Sequence, residues 1–311
     1  MTDLAADFDG FYEREIAPWI EEKEAERKAL ASRATRRAVP LFAAGAFLFV
    51  LVSALMDDTG WRDLAYFVSF AVMGTGALQY TPVVIWGRAF AEELSEKIFG
   101  HFGYRYAPEA PPGFLDAFER CHLLPGYSRK KLEDHVSGEV NGVPFELAEA
   151  FLEKRVRRDK RDDYETVFRG IVARYRFPKR FSGRTILRSD QGLLNALAHS
   201  GVSGERVRLE DPRFEKHFEV FSNDQVEARY LLTPAFMERL SNLKENMKEP
   251  LQAAFEGDDL LIAIDGRRGY FSQPPIWKDL RGSGHIRRFV EDIALIRSIA
   301  GTLKLDAETR V

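Results

Sequence analysis

The stretch AVPLFAAGAFLFVLVSALMDDTGWRD, residues 38–63, decides how the rest of the chain is read. Its first 19 residues, 38–56, carry no formal charge and run straight into Asp57-Asp58-Thr59-Gly60. Crossing about 30 Å of hydrocarbon at about 1.5 Å per residue takes about 20 predominantly apolar residues. The run is therefore just long enough to span. A second charge-free run, the 23 residues 64–86, begins after seven residues with turn chemistry at Asp58-Thr59-Gly60. Two spans joined by so short a loop are antiparallel neighbours. A secretory signal fits poorly, because 37 residues precede the run and no small-x-small cleavage site follows it closely. Helices buried in a soluble core usually carry a polar stripe, and Ser53 is the only side-chain hydroxyl of the first run. The second run turns more polar only in its last third, at Gln79, Tyr80, Thr81 and Pro82. Trp61 and Trp86 bracket it as interfacial aromatics do. The reading is a transmembrane hairpin with spans 38–56 and 64–86.

Small residues Ser69, Ala71, Gly74, Thr75, Gly76 and Ala77 would let the two helices approach closely. Neither run holds an Asp, Glu, Lys, Arg or His, so an ion or proton path has no candidate residue. Orientation follows the basic residues near the span ends. Arg27, Lys28, Arg33, Arg36 and Arg37 precede the first run, Arg88 and Lys97 follow the second, and the loop between has Arg62 alone. Both termini are expected on the cytoplasmic side of a two-pass protein. A single cysteine, Cys121, leaves no internal disulfide, in keeping with a reducing compartment.

Whole-chain averages conceal this segregation. A mean hydropathy of -0.29 with 30% charged residues describes an ordinary soluble protein. The net charge of -3 gives no basic excess of the kind nucleic-acid binders show. Residues 7–37 read as one long charged helix within an N-terminal segment 1–37. Phe8, Phe11, Tyr12, Ile16, Trp19 and Ile20 recur on one face, and Pro18 is placed to kink it. That face is expected to pack on the protein's own cytoplasmic domain. Segment 87–112 reads as a juxtamembrane helix stopping near Gly100, then a linker with Pro108, Pro111 and Pro112.

From residue 113 to 311 the texture is that of an antiparallel α+β domain. Asn141-Gly142 between two alternating runs signals a hairpin, and Gly257-Asp258 signals another. TVFRGIVARYRF, GRTILRSD, RVRLEDP and HFEVFSND read as further strands. Thr233-Pro234 opens a helix as cap and first residue, and Phe289, Ile293, Ile296 and Ile299 line one face of the last helix.

The motifs of common chemistry are missing. The chain has no phosphate-binding glycine loop ending in Lys-Ser/Thr, no Gly-x-Ser-x-Gly elbow and no His-Glu-x-x-His helix. Cys121-His122 with His135 lacks any standard metal spacing. No catalytic, cofactor or metal residue is assigned, and no enzymatic activity is expected. Two weaker candidates remain. Lys154, Arg155, Arg157, Arg158, Lys160 and Arg161 form a basic run at an expected hairpin tip, suited to anionic lipid headgroups beneath a membrane. Asp224, Glu227 and Arg229 form a polar junction after the turn Ser222-Asn223-Asp224, where Ala228, Tyr230 and Leu232 alternate as in a strand.

LPGYSRKKLEDHVSGEVNGVPFELAEAFLE, VFRGIVARYRFPKRFSGRTIL and above all VRLEDPRFEKHFEVFSNDQVEARYLLTPAFMERL resemble a bacterial membrane-protein family, the one catalogued as domain of unknown function 3137. The resemblance takes in the charged N-terminal helix and both close runs. It implies a bacterial inner-membrane protein with a cytoplasmic domain, and it brings no catalytic residues with it. The expected role is that of a membrane-anchored scaffold or adaptor for another membrane component, with self-association as a further expectation. The alternatives are an anionic-lipid sensor led by the 154–161 run, or an enzyme with a non-standard site at Asp224, Glu227 and His217.

Overall fold

The computed structural model describes residues 8–56, 60–140, 142–158, 161–176, 180–189, 204–246, 249–271, 275–281 and 283–302. The chain divides into two compact units. One holds residues 1–94 and 273–287; the other holds 95–272 and 288–311.

In the first unit a widened helical turn, Tyr12–Ile16, leads into α1, Ala17–Leu55. Pro18 has no N–H to bond the carbonyl four residues back. The preceding turn accommodates this by loosening, and the Ala17 N–H reaches back five residues to the Tyr12 carbonyl. The charged segment and the first apolar run are thus one uninterrupted helix; the boundary at 37/38 is one of composition, not of backbone. The buried residues of α1 (Ile20, Glu24, Arg27, Ala34, Ala38, Gly45 and Val52) recur at three, four or seven residues and form a single seam.

Helix α2, Gly60–Leu78, packs antiparallel along that seam, and α3, Thr81–His101, continues it. The second apolar run is therefore two helices rather than one. Pro82 cannot bond the Leu78 carbonyl, and tighter three-residue bonds from Gln79 to Gly76 and from Tyr80 to Ala77 close the end of α2. Close approach depends on Gly45, where a Cβ would lie 2.9 Å from the Ser69 carbonyl oxygen and 2.5 Å from Met73 Cγ. Pairing levels run the length of the hairpin. Ser53 Oγ lies 3.1 Å from Tyr66 OH, and Thr35 Oγ1 lies 3.1 Å from Tyr80 OH. Beyond these, Trp19 stacks on Phe90 and donates to Glu93 Oε1 at 3.0 Å.

The second unit is built on a nine-stranded antiparallel sheet with strand order β1-β2-β3-β4-β9-β8-β5-β7-β6. The strands are β1 Arg105–Glu109, β2 Arg129–Val140, β3 Val143–Arg158, β4 Arg161–Arg176, β5 Arg184–Ser189, β6 Glu205–Val207, β7 Phe218–Ser222, β8 Leu251–Glu256 and β9 Asp259–Ile264. The long hairpin β3–β4 pairs from Phe145↔Tyr175 to Arg158↔Arg161, with one register shift between Leu152 and Glu153. Strand β1 lies in the segment 87–112 that reads as helix and linker, so the sheet begins before residue 113. Its Pro108 is tolerated because β1 is an edge strand, where a missing N–H breaks no ladder. The short helix α4, Asp116–Arg120, covers one sheet face. Its Leu115, Phe118 and Cys121 neighbourhood packs on Ala148, Ala150, Leu152, Val172 and Leu261.

Four helices complete the fold: α5 Pro212–Glu215, α6 Gln225–Leu231, α7 Pro234–Asn246 and α8 Ser283–Thr302. Helix α6 overturns the expected strand at Ala228, Tyr230 and Leu232. Asp224, which reads as a turn residue, is an N-cap whose carboxylate accepts from Val226 N and Glu227 N, and that cap commits the next residues to helix. In α8, Phe289, Ile293 and Ile299 are buried as the periodicity predicts; the side chain of Ile296 lies outside the described set.

Candidate functional site

The sequence-predicted polar junction is a structural corner. Glu227 reaches across to the loop before β5, accepting from Ser182 N at 2.7 Å, Ser182 Oγ at 2.9 Å and Gly183 N at 2.5 Å. Asp224 spends its carboxylate on the cap of α6, and Arg229 Nη1 donates to the Gln225 carbonyl of its own helix at 3.1 Å. The structure brings Asp224 and Glu227 to one corner and leaves Arg229 out of it. His217 pairs elsewhere, with Glu245 at 3.2 Å, beside Arg213.

The basic run does sit at the tip of β3–β4, but acids are interleaved with it. Arg155 is ion-paired with Asp162, and the register sets Lys154 opposite Glu165 and Arg157 opposite Asp162. Lys154, Arg155 and Arg157 are exposed. The side chains of Arg158 and Arg161, and Lys160 altogether, fall outside the described residues. Such a tip neutralises much of its own charge, which weakens its hold on an anionic surface. Cys121 is buried against the α4 core, and burial pushes its thiol up to about 12. No group of three or more metal-ligating side chains occurs among the described residues.

The most perturbed chemistry lies on the face of β3 opposite the α4 core. Alternation places Phe145, Leu147, Glu149 and Phe151 on that face, and Glu149 is buried there. Strand β2 opposite it is bulged between Glu133 and Val136, with Asp134 held at a left-handed φ of 52°. Such a bulge re-aims a side chain. Asp134 Oδ1 accepts from Tyr106 OH of β1 at 2.7 Å, and Glu149 Oε2 accepts from Tyr270 N at 3.0 Å. Burial pushes the Asp134 carboxyl up to about 6, against the Tyr106 hydrogen bond. Burial and then the charge of Asp134 push Glu149 up to about 8. The two carboxyls are thus held on either side of neutrality.

The loop after β9 carries the polar groups onward. Asp292 of α8 is buried and accepts from Arg268 Nη2 at 2.8 Å and Phe271 N at 3.1 Å. Burial raises its pKa while Arg268 opposes the rise. The Arg268 guanidinium lies 4.0 Å over the Tyr270 ring, and the Tyr270 hydroxyl is buried with no hydrogen-bond partner among the described residues. Two carboxyls with separated titrations can take up and release a proton near neutrality, the property that general acid–base chemistry requires. One signal in the sequence could have pointed here: Glu149 is the one charged residue within the otherwise apolar run Leu147–Leu152. Asp134 gave none, because a bulge is not written in periodicity.

No curated protein matches the chain. Among solved structures it is similar to the crystal structure of the mycobacterial trehalose monomycolate transport factor A, TtfA, at 12% identity and a TM-score of 0.33, over 67% of this chain and 95% of that one. Residues 166–305, from within β4 to just past α8, match the family described as a protein of unknown function, DUF3137.

Proposed function

We propose that this is a membrane-anchored, non-enzymatic interaction protein. The two apolar runs, 38–56 of α1 and 64–86 through most of its length up to Tyr80, embed in the bacterial inner membrane with both termini in the cytoplasm. The sheet unit serves as a platform for another membrane or membrane-associated protein. One observation carries the reading: the most apolar windows of the two long helical stretches are each only 17% buried within the protein. Leu55, Phe67 and Phe47 are 73%, 70% and 69% exposed, where a soluble core would cover them. An exposed apolar face of that character suits lipid. Anchoring a platform at a membrane raises its effective concentration for partners there, and no catalytic group is required for it.

The test uses the full chain in its own cells. Membranes are washed with alkaline carbonate, then crosslinked, gently solubilised and pulled down by a terminal tag for mass spectrometry. Retention in the carbonate pellet together with a stoichiometric membrane partner supports the reading. Release by carbonate overturns the anchor, and retention without any partner overturns the platform.

A further inference from the structure

Residues 275–281, PIWKDLR, belong to the hairpin unit although they are read from the far end of the chain. Several contacts hold this strap against α1 and α3. The Leu280 N–H donates to Glu24 Oε2 at 3.2 Å, and Arg27 Nη1 donates to the Ile276 carbonyl at 3.1 Å. Ile276 fills the space that Gly87 leaves open, where a Cβ would lie 2.3 Å from Ile276 Cγ2. Glu24 and Arg27 form a buried pair, with Nε to Oε2 and Nη2 to Oε1 both at 2.8 Å. A buried pair is tolerated where further hydrogen bonds satisfy its remaining atoms, and here the strap backbone supplies them.

So fixed, the strap holds Trp277 outward at 58% exposure, with exposed Lys278 beside it. Its only ring contact among those described is edge-to-face with Tyr80, 5.8 Å between centroids. Tyr80 marks a level on the hairpin, because its hydroxyl lies beside Thr35, just before Arg36, Arg37 and the charge-free run. Tyr66 marks the other level beside Ser53. From Thr35 to Ser53 the helix rises about 27 Å, close to the thickness of the hydrocarbon layer. Trp277 is therefore level with one edge of that layer, in line with exposed Arg36 and Arg37. The amphipathic indole suits that depth.

We infer that the strap is an interfacial membrane anchor: Trp277 inserts among the lipid headgroups, with Lys278, Arg36 and Arg37 facing their phosphates. This rests on the membrane reading above, and the test separates the two. Full-length protein is reconstituted into vesicles of phosphatidylglycerol and phosphatidylcholine, the latter plain, brominated near the acyl carbonyls, or brominated near mid-chain. Tryptophan emission of the native protein minus that of Trp277→Phe isolates Trp277; the phenyl ring preserves an aromatic contact with Tyr80. Shallow bromine should remove about half of that difference signal or more, and deep bromine distinctly less. Trp61→Phe, treated identically, reports a tryptophan that the strap does not carry and shows that the quencher acts on embedded protein. A Trp277 signal equal in plain and brominated vesicles, with the protein still resistant to carbonate extraction, overturns the anchor alone. Protein released by carbonate overturns the membrane reading with it.

Discussion

Replacing Glu149 with glutamine should remove a pH-dependent loss of stability from the sheet. The ordinary pKa of this carboxyl is 4.5, and in the folded protein it stands at about 8. A carboxyl whose pKa is raised by folding favours the folded state while it is protonated. Its contribution is complete below pH 4.5, shrinks as the pH rises, and is gone once the pH passes about 8. The gap of about 3.5 units, at 1.36 kcal/mol per unit, sets an upper bound of about 5 kcal/mol. Between pH 5 and 7 the slope is about 1.4 kcal/mol per unit, or about 3 kcal/mol in all. Glutamine keeps an acceptor for Tyr270 N–H and carries no charge. The assay is urea unfolding of the full chain in mild detergent at pH 5, 7 and 9, followed by far-ultraviolet circular dichroism. Asp134 titrates in both proteins, so the difference between them isolates Glu149. Glu149→Gln should match the native protein within about 1 kcal/mol at pH 5 and exceed it by about 3 kcal/mol or more at pH 9. A difference that does not change with pH would refute the reasoning.

Two further substitutions address packing. Gly45→Leu places its side chain against the Ser69 carbonyl oxygen, 2.9 Å from the first added carbon, so the helices must part. Short bismaleimide crosslinking between S53C and Y66C should fall about fivefold, and an unchanged yield would contradict the close approach. Tyr270→Phe removes a buried hydroxyl that has no partner among the described residues while keeping the ring beneath Arg268. The urea midpoint should rise, by about 1 kcal/mol of stability, and a fall would show that the hydroxyl is bonded.

Much of the sheet was legible because its signals are local. Alternation and the turn pairs at Asn141-Gly142 and Gly257-Asp258 located β2, β3, β8 and β9, and lack of charge located the apolar helices. Misreadings arose where one residue type serves two geometries. Asp224 suits a turn and an N-cap equally, and only the cap's hydrogen bonds to Val226 and Glu227 decide for helix. Pro108 reads as linker until β1 is seen to be an edge. The important polar contacts were illegible for a different reason. Glu227 holds Ser182 and Gly183, Glu149 holds Tyr270, and Glu24 holds Leu280, each across a separation in sequence that no local pattern encodes.

The strap also sets an order of events during synthesis. The helices it closes on are complete by His101, yet Ile276 and Leu280 emerge from the ribosome only after nearly the whole sheet unit. At typical elongation rates of about 5–20 residues per second, the hairpin waits roughly ten to forty seconds for them. During that interval Glu24 and Arg27 lack the backbone groups that complete their bonding. The nascent protein thus passes through a stage in which its first helices are made but still open, until a segment translated much later closes them.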